Sequence, residues 1–154
     1  DLPEITDLVI SIAGGGLISG NIIAIKGLKP QVRVWGVQTE GAASMKSALD
    51  SGKVVSIKPT SMAKTLGAPF VAQDALTIAQ EHLEALLIVS DKQAIEAQQL
   101  ILERMKVLPE LAASCTLAAV ETIRDRFGPD EHLVLLMCGG NESVANLVNY
   151  RKFT

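Results

Sequence analysis

Residues 8–20 read LVISIAGGGLISG: an apolar run suited to a buried strand, three successive glycines, then the start of a helix. Glycine has no Cβ and accepts positive φ, so Gly14, Gly15 and Gly16 leave bare backbone N–H groups open to a closely approaching ligand. A helix that begins there adds unpaired N–H groups and the positive end of its dipole, which suits an anion such as a phosphate. A ligand-free packing turn between strand and helix would use the same glycines. A dinucleotide fingerprint fits less well, because Ser19 stands where its third glycine belongs, and a P-loop is excluded by the missing GK[ST].

Working outward, strand and helix alternate. Strands are expected over 8–12, 32–38, 86–89 and 132–137, from apolar, β-branched runs bounded by turn residues. Helices are expected over 17–28, 42–49, 69–82 (with Pro69 in its first turn), 91–105 (capped at Ser90-Asp91), 109–127 (stopped by Gly128-Pro129), and from Asn141 or Ser143 to Tyr150. A short extended piece is expected over 53–57. The alternation predicts one α/β domain over 1–154, with a mostly parallel sheet covered by helices on both faces. The strand 132–137 runs into Cys138-Gly139-Gly140-Asn141, repeating the opening theme. In a parallel sheet both glycine turns open at the same carboxyl edge, where ligands of such sheets bind.

The chain has 154 residues, nearly half apolar but only five aromatic, so its core is built from Leu, Ile, Val and Ala. Fourteen basic and seventeen acidic residues form no long block of one sign, which leaves no electrostatic footprint for nucleic acid. Apolar stretches fall short of a membrane-spanning helix. Cys115 and Cys138 lack CxxC spacing, and reduced thiols in a cytoplasmic protein are the expectation. His82 and His132 have no partner at metal-ligand spacing, so a zinc site is not expected.

AGGGLISG, VQTEGAASM, SMAKTLGA, VLPELAASCTLAAV and LMCGGNES together resemble, in content and in order, the fold-type II pyridoxal-phosphate enzymes. Within that group the chain is most similar to the L-serine/L-threonine dehydratases of the serine dehydratase type. The resemblance spans almost the whole chain and implies the later part of the large, cofactor-binding domain of a homodimer. It implies that main-chain N–H groups of Ala13, Gly14, Gly15, Gly16 and Leu17 cup the cofactor phosphate, Ala13 replacing a family glycine. It places Cys138, with Gly139, against the pyridine nitrogen, where a buried inert thiol is the bland alternative. Glu110 matches an acid near the cofactor ring and serves equally well as a helix-start carboxylate.

A neutral partner such as Cys138 leaves the pyridine nitrogen largely unprotonated, which suits β-elimination from serine or threonine better than transamination. The resemblance also implies a monovalent-cation site, for potassium, from the carbonyls of Ala13, Ala42, Leu66 and Ala68, the Ser44 hydroxyl and Gln38, which stands where the family has an acid. The family's cofactor-bearing lysine and its substrate-carboxylate loop both precede the glycine loop and have no counterpart here. Ser44-Met45-Lys46 and Ser56-Ile57-Lys58 follow the loop and read as ordinary surface lysines. The expectation is therefore a piece of a longer ammonia-lyase that is inactive alone. The alternatives are a catalytically silent ligand-binding or assembly module, a racemase or synthase of the same group, and a dinucleotide-binding domain using Glu40.

Overall fold

Consecutive Val, Ile and Leu residues favour extended segments buried on both faces, and the computed structural model, which describes residues 2–150 and 152, contains four strands. They are β1 (Asp7–Ser11), β2 (Arg33–Thr39), β3 (Leu83–Val89) and β4 (Leu133–Leu135). All pairings are parallel and the order is β3-β2-β1-β4, with Leu8 opposite both Val34 and Val134. Six helices cover the sheet: α1 (Gly16–Leu28), α2 (Ser44–Ser51), α3 (Gln73–His82), α4 (Asp91–Met105), α5 (Leu111–Ile123) and α6 (Val144–Tyr150). This is the expected α/β architecture with a parallel sheet.

Alternation along each strand separates two cores. Leu8, Ile10 and Ile12 meet Ile18, Ile22, Met45 and Leu76 from α1, α2 and α3 on one face. Val9, Trp35 and Val37 meet Ile95, Leu111 and Cys115 from α4 and α5 on the other. Trp35 stands edge-on to Phe127, with ring centroids 5.8 Å apart.

The structure corrects several boundaries. The helix expected from Pro69 starts only at Gln73, because residues 69–72 are tied elsewhere: Pro69 accepts from Ile57 N–H at 2.7 Å and Ala72 donates to Gly14 at 3.0 Å. Residues 53–57 form no strand. The helix expected from 42 is a 3-10 turn, Glu40–Ala42, followed by α2. That expected over 109–127 is α5, opening at its N-cap Glu110 and followed by a 3-10 turn, Arg124–Arg126. β3 is longer than expected, beginning at Leu83, because β2 supplies parallel partners from Val34 onward. β4 is shorter than expected. Ser90 does cap α4: its hydroxyl accepts from Gln93 N–H while the Gln93 side chain accepts from Ser90 N–H, a complete capping box. Of the two candidates for the last cap, Ser143 takes the role, accepting from Asn146 N–H at 3.2 Å.

The chain builds β1, β2 and β3 outward in one direction, then crosses back to place β4 on the other side of β1. That reversal opens a crevice at the carboxyl ends of β1 and β4, the usual ligand position in such sheets.

Candidate functional site

Both glycine turns lie at this crevice. Beyond β1, Ile12 N–H still donates to Val37 at 2.8 Å, after which the chain leaves the sheet. Gly15 then adopts φ 103° and caps α1, and a Cβ there would overlap the Ala75 side chain, so only glycine fits. Gly15 accepts from Ser19 N–H at 3.0 Å, closing the first helical turn. Among the described residues the N–H groups of Gly14, Gly15, Gly16 and Leu17 have no protein acceptor, and the first turn of α1 carries no acidic residue. The loop is thus a concave set of free donors at a positive helix end, suited to a phosphate.

The second turn follows β4. Leu136 N–H donates to Val9 at 3.0 Å, which extends the pairing by one bond and leads Cys138 to the crevice. Gly139 accepts from Glu110 N–H at 3.0 Å, and a Cβ on Gly139 would overlap the Glu110 carboxyl group. Glu110 stands at the helix start, as one of the two expectations had it. It is the N-cap of α5, and its side chain forms a wall of the crevice. Cys138 is exposed, whereas Cys115 is buried, with burial pushing its thiol up to about 12. Cys138 is accordingly the accessible thiol of the two.

A cavity of about 160 Å³ brings Ala13, Gly14, Gly15, Gly16, Leu17, Glu110 and Cys138 together. Thr65, Glu110 and Ala112 also line an open groove of about 560 Å³ that continues toward Asn141, Glu142 and Tyr150.

The supporting roles of several residues were not read from the sequence. Asp91 accepts from Ser61 Oγ at 2.5 Å and Met62 N–H at 2.8 Å, and Thr39 donates to Ser61 at 2.7 Å, so the segment carrying Thr65 is clamped to β2 and α4. Gln98, fully buried on α4, donates to Pro109 at 2.7 Å and to Glu142 at 3.0 Å, which ties the start of α5 to the turn after Cys138. Burial raises the Glu142 carboxyl, but hydrogen bonds from Asn146, Gln98, Ser143 N–H and Tyr150 outweigh it and hold the group below the usual range. Burial and the Glu142 charge push the Tyr150 hydroxyl up to about 12. The one sequence signal was a glutamine inside the buried stripe of α4, between Ala94, Ile95 and Ile101.

The residues assigned to a cation site are partly assembled. Gln38, Ala42 and Ser44 are fully buried and adjacent, while Ala68 N–H donates to Leu66 at 2.8 Å and Ala68 Cβ lies 3.9 Å from where a Gly14 Cβ would be. Gln38 Oε1 accepts from Lys46 N–H at 3.0 Å, and Nε2 donates to the Ile12 carbonyl at 3.1 Å and to Ser44 Oγ at 3.4 Å. With its oxygen taken by Lys46 N–H and its positive NH₂ edge turned to the Ile12 carbonyl and Ser44 Oγ, Gln38 does not fit a cation bound between itself and Ser44. Among the described residues no three His, Cys, Asp or Glu side chains converge as a metal-binding group.

The family model described as pyridoxal-phosphate dependent enzyme matches residues 1–139. The chain is 32% identical over 146 residues to the L-threonine ammonia-lyase of Thermotoga maritima, covering 94% of this chain and 36% of that protein. It is 35% identical over 159 residues to the L-serine dehydratase/L-threonine deaminase of Bos taurus, covering 94% and 48%. The solved L-serine ammonia-lyase of the fungus Rhizomucor miehei superposes with a TM-score of 0.90 at 29% identity, over 97% of this chain and 50% of that one. The chain thus spans half or less of the length of each of these proteins.

Proposed function

This chain belongs to the pyridoxal-phosphate dependent enzyme family, and on that premise we propose that it supplies the phosphate and pyridine contacts of an ammonia-lyase acting on L-serine or L-threonine. One observation carries the reading: the free N–H groups of the glycine loop and the Cys138 thiol open into one cavity at the switch point of the sheet. The relatives' names, an L-threonine ammonia-lyase and an L-serine dehydratase/L-threonine deaminase, support the substrate class.

When bound, pyridoxal phosphate supplies the electron sink for β-elimination. In this reading the residues of the chain bind and orient. The N–H groups of Gly14, Gly15 and Gly16 hold the phosphate, with the α1 dipole adding to the attraction. Cys138 would stand at the pyridine nitrogen as a neutral hydrogen-bonding partner. Glu110, fixed by its main-chain bond to Gly139, walls the crevice. Among the described residues no lysine lines this cavity, so no catalytic residue is assigned within this chain, and in this reading the covalent anchor and the base for the substrate α-proton come from the longer enzyme. Assembly as a homodimer is part of the same reading, supported by the apolar Ile23 and Leu28 left exposed on α1.

Absorbance titration of the purified chain with pyridoxal phosphate tests the binding half. Saturable binding that inorganic phosphate competes away and that Gly15→Ala weakens is expected; absence of binding overturns it. The catalytic half is tested by assaying 2-oxo acid from serine and threonine, and D-serine as the racemase readout. No turnover is expected from the chain alone, and 2-oxo acid formation above that of free cofactor would refute its inactivity.

A further inference from the structure

Gln38 sits, fully buried, at the end of β2, where it meets the Ile12 carbonyl just past β1 and the first residue of α2, Ser44. The orientation of its amide is fixed by unambiguous partners. Lys46 N–H is only a donor, so the group 3.0 Å from it is the amide oxygen. The Ile12 carbonyl is only an acceptor, so the group 3.1 Å from it is the NH₂. The second NH₂ proton faces Ser44 Oγ at 3.4 Å. Rotating the amide would set oxygen against oxygen at Ile12 and N–H against N–H at Lys46.

We propose that the Gln38 amide takes the place of a monovalent cation at this junction, making this chain's glycine-loop support independent of cations. An acid at position 38 would aim a carboxylate oxygen at the Ile12 carbonyl, an arrangement that needs a cation between the two oxygens. Gln38 instead satisfies the Ile12 carbonyl and Ser44 Oγ with two N–H bonds internal to the fold. The consequence reaches the loop directly, because Ile12 is the residue before Ala13 and Ile12 N–H itself donates to β2 at Val37. The amide therefore tethers the root of the glycine loop to α2 whatever salt is present. The inference rests on these hydrogen bonds and is independent of which amino acid the whole enzyme acts on.

The test is thermal unfolding of the purified chain in potassium, sodium and N-methylglucamine chlorides at equal ionic strength. For the native sequence the same midpoint is expected in all three; a saturable rise specific to potassium or sodium would overturn the proposal. Gln38→Glu is expected to unfold roughly 5 °C lower in N-methylglucamine than in potassium. A Gln38→Glu midpoint indifferent to the cation would equally overturn it, since the oxygens around position 38 would then not be a place for a cation. Thallium NMR gives a readout separate from stability: bound thallium is expected with Gln38→Glu and none with Gln38, and thallium bound to the native chain counts against the proposal. Should Gln38→Glu fail to fold in any salt, the native chain's salt series and thallium spectrum decide the matter alone.

Discussion

The two edges of the sheet carry opposite kinds of polar chemistry. At the amino edge Asp7, fully buried, accepts from Arg33 through two bonds of 2.7 Å, from Trp35 Nε1 at 2.7 Å and from Thr6 Oγ1 at 2.6 Å, and Arg33 also pairs with Glu131. Four donors converge on one carboxylate, which leaves it nothing to offer a ligand. At the carboxyl edge the situation is reversed, with the N–H groups of Gly14 to Leu17 lacking protein acceptors beside an accessible thiol. Burial and charge alone would have pointed to Asp7 as the functional group. Counting donors against acceptors separates a closed structural network from a site awaiting a partner.

The largest expected effect lies at the closed edge. Asp7→Ala should cost about 3 kcal/mol, the low end for a broken buried pair because Arg33 is partly exposed and keeps Glu131. Urea unfolding measures that loss, and pyridoxal-phosphate affinity of the folded protein should be unchanged. Burial raises the Asp7 carboxyl, but the Arg33, Thr6 and Trp35 hydrogen bonds outweigh this and hold it below its ordinary value. The folded-state value being the lower one, this stabilisation is complete above the unfolded carboxyl's pKa of about 4 and vanishes as pH falls through the depressed value. Stability of the native chain should therefore begin to fall only as pH drops below about 4, and Asp7→Ala should flatten that part of the profile. An equally steep acid limb in Asp7→Ala would assign the acid sensitivity to other carboxylates.

At the open edge the effects are smaller in stability and larger in binding. Gly15→Ala forces a side chain into positive φ and against Ala75, at a cost of about 2 kcal/mol. It should also weaken phosphate-competed cofactor binding by roughly tenfold or more. Gly14→Ala is the control: its Cβ would meet only Ala68 at an ordinary 3.9 Å, so stability should change by less than about 0.5 kcal/mol. Equal destabilisation by the two substitutions would mean that the turn is held by something other than the left-handed Gly15.

Much of this was legible in the sequence because it was local. DLVIS and LVL form strands and Ser90-Asp91-Lys92-Gln93 forms its capping box on short-range preferences alone. The glycine loop and Cys138 could be placed at one edge because parallel strands leave their carboxyl ends together. What escaped was set by contacts between distant segments. The start of α3 at Gln73 depends on Ala72 reaching Gly14, and the roles of Gln98 and Asp91 depend on where Pro109, Glu142 and Ser61 arrive in space. Gln38 shows the same limit in reverse. A missing charge was visible in the sequence, but that its NH₂ faces a carbonyl required the fold.

The subtlest way to sharpen the contrast between the edges is Cys138, whose substitution should leave stability nearly untouched because the side chain is exposed. If the thiol faces the pyridine nitrogen, Cys138→Ala should weaken cofactor binding by about 1 kcal/mol, one net hydrogen bond. Cys138→Ser should restore it, since a hydroxyl is also a neutral donor and acceptor. In the longer enzyme Cys138→Asp should protonate the ring, slow elimination and shift product toward transamination, whereas Cys115→Ser, at a buried thiol of the α5 core, should change stability and leave that partition alone. The experiment reads two quantities, cofactor affinity and product ratio, which a packing role would not move together. If both stay at native levels in Cys138→Asp, the thiol does not touch the ring, and the glycine loop alone distinguishes the open edge from the closed one.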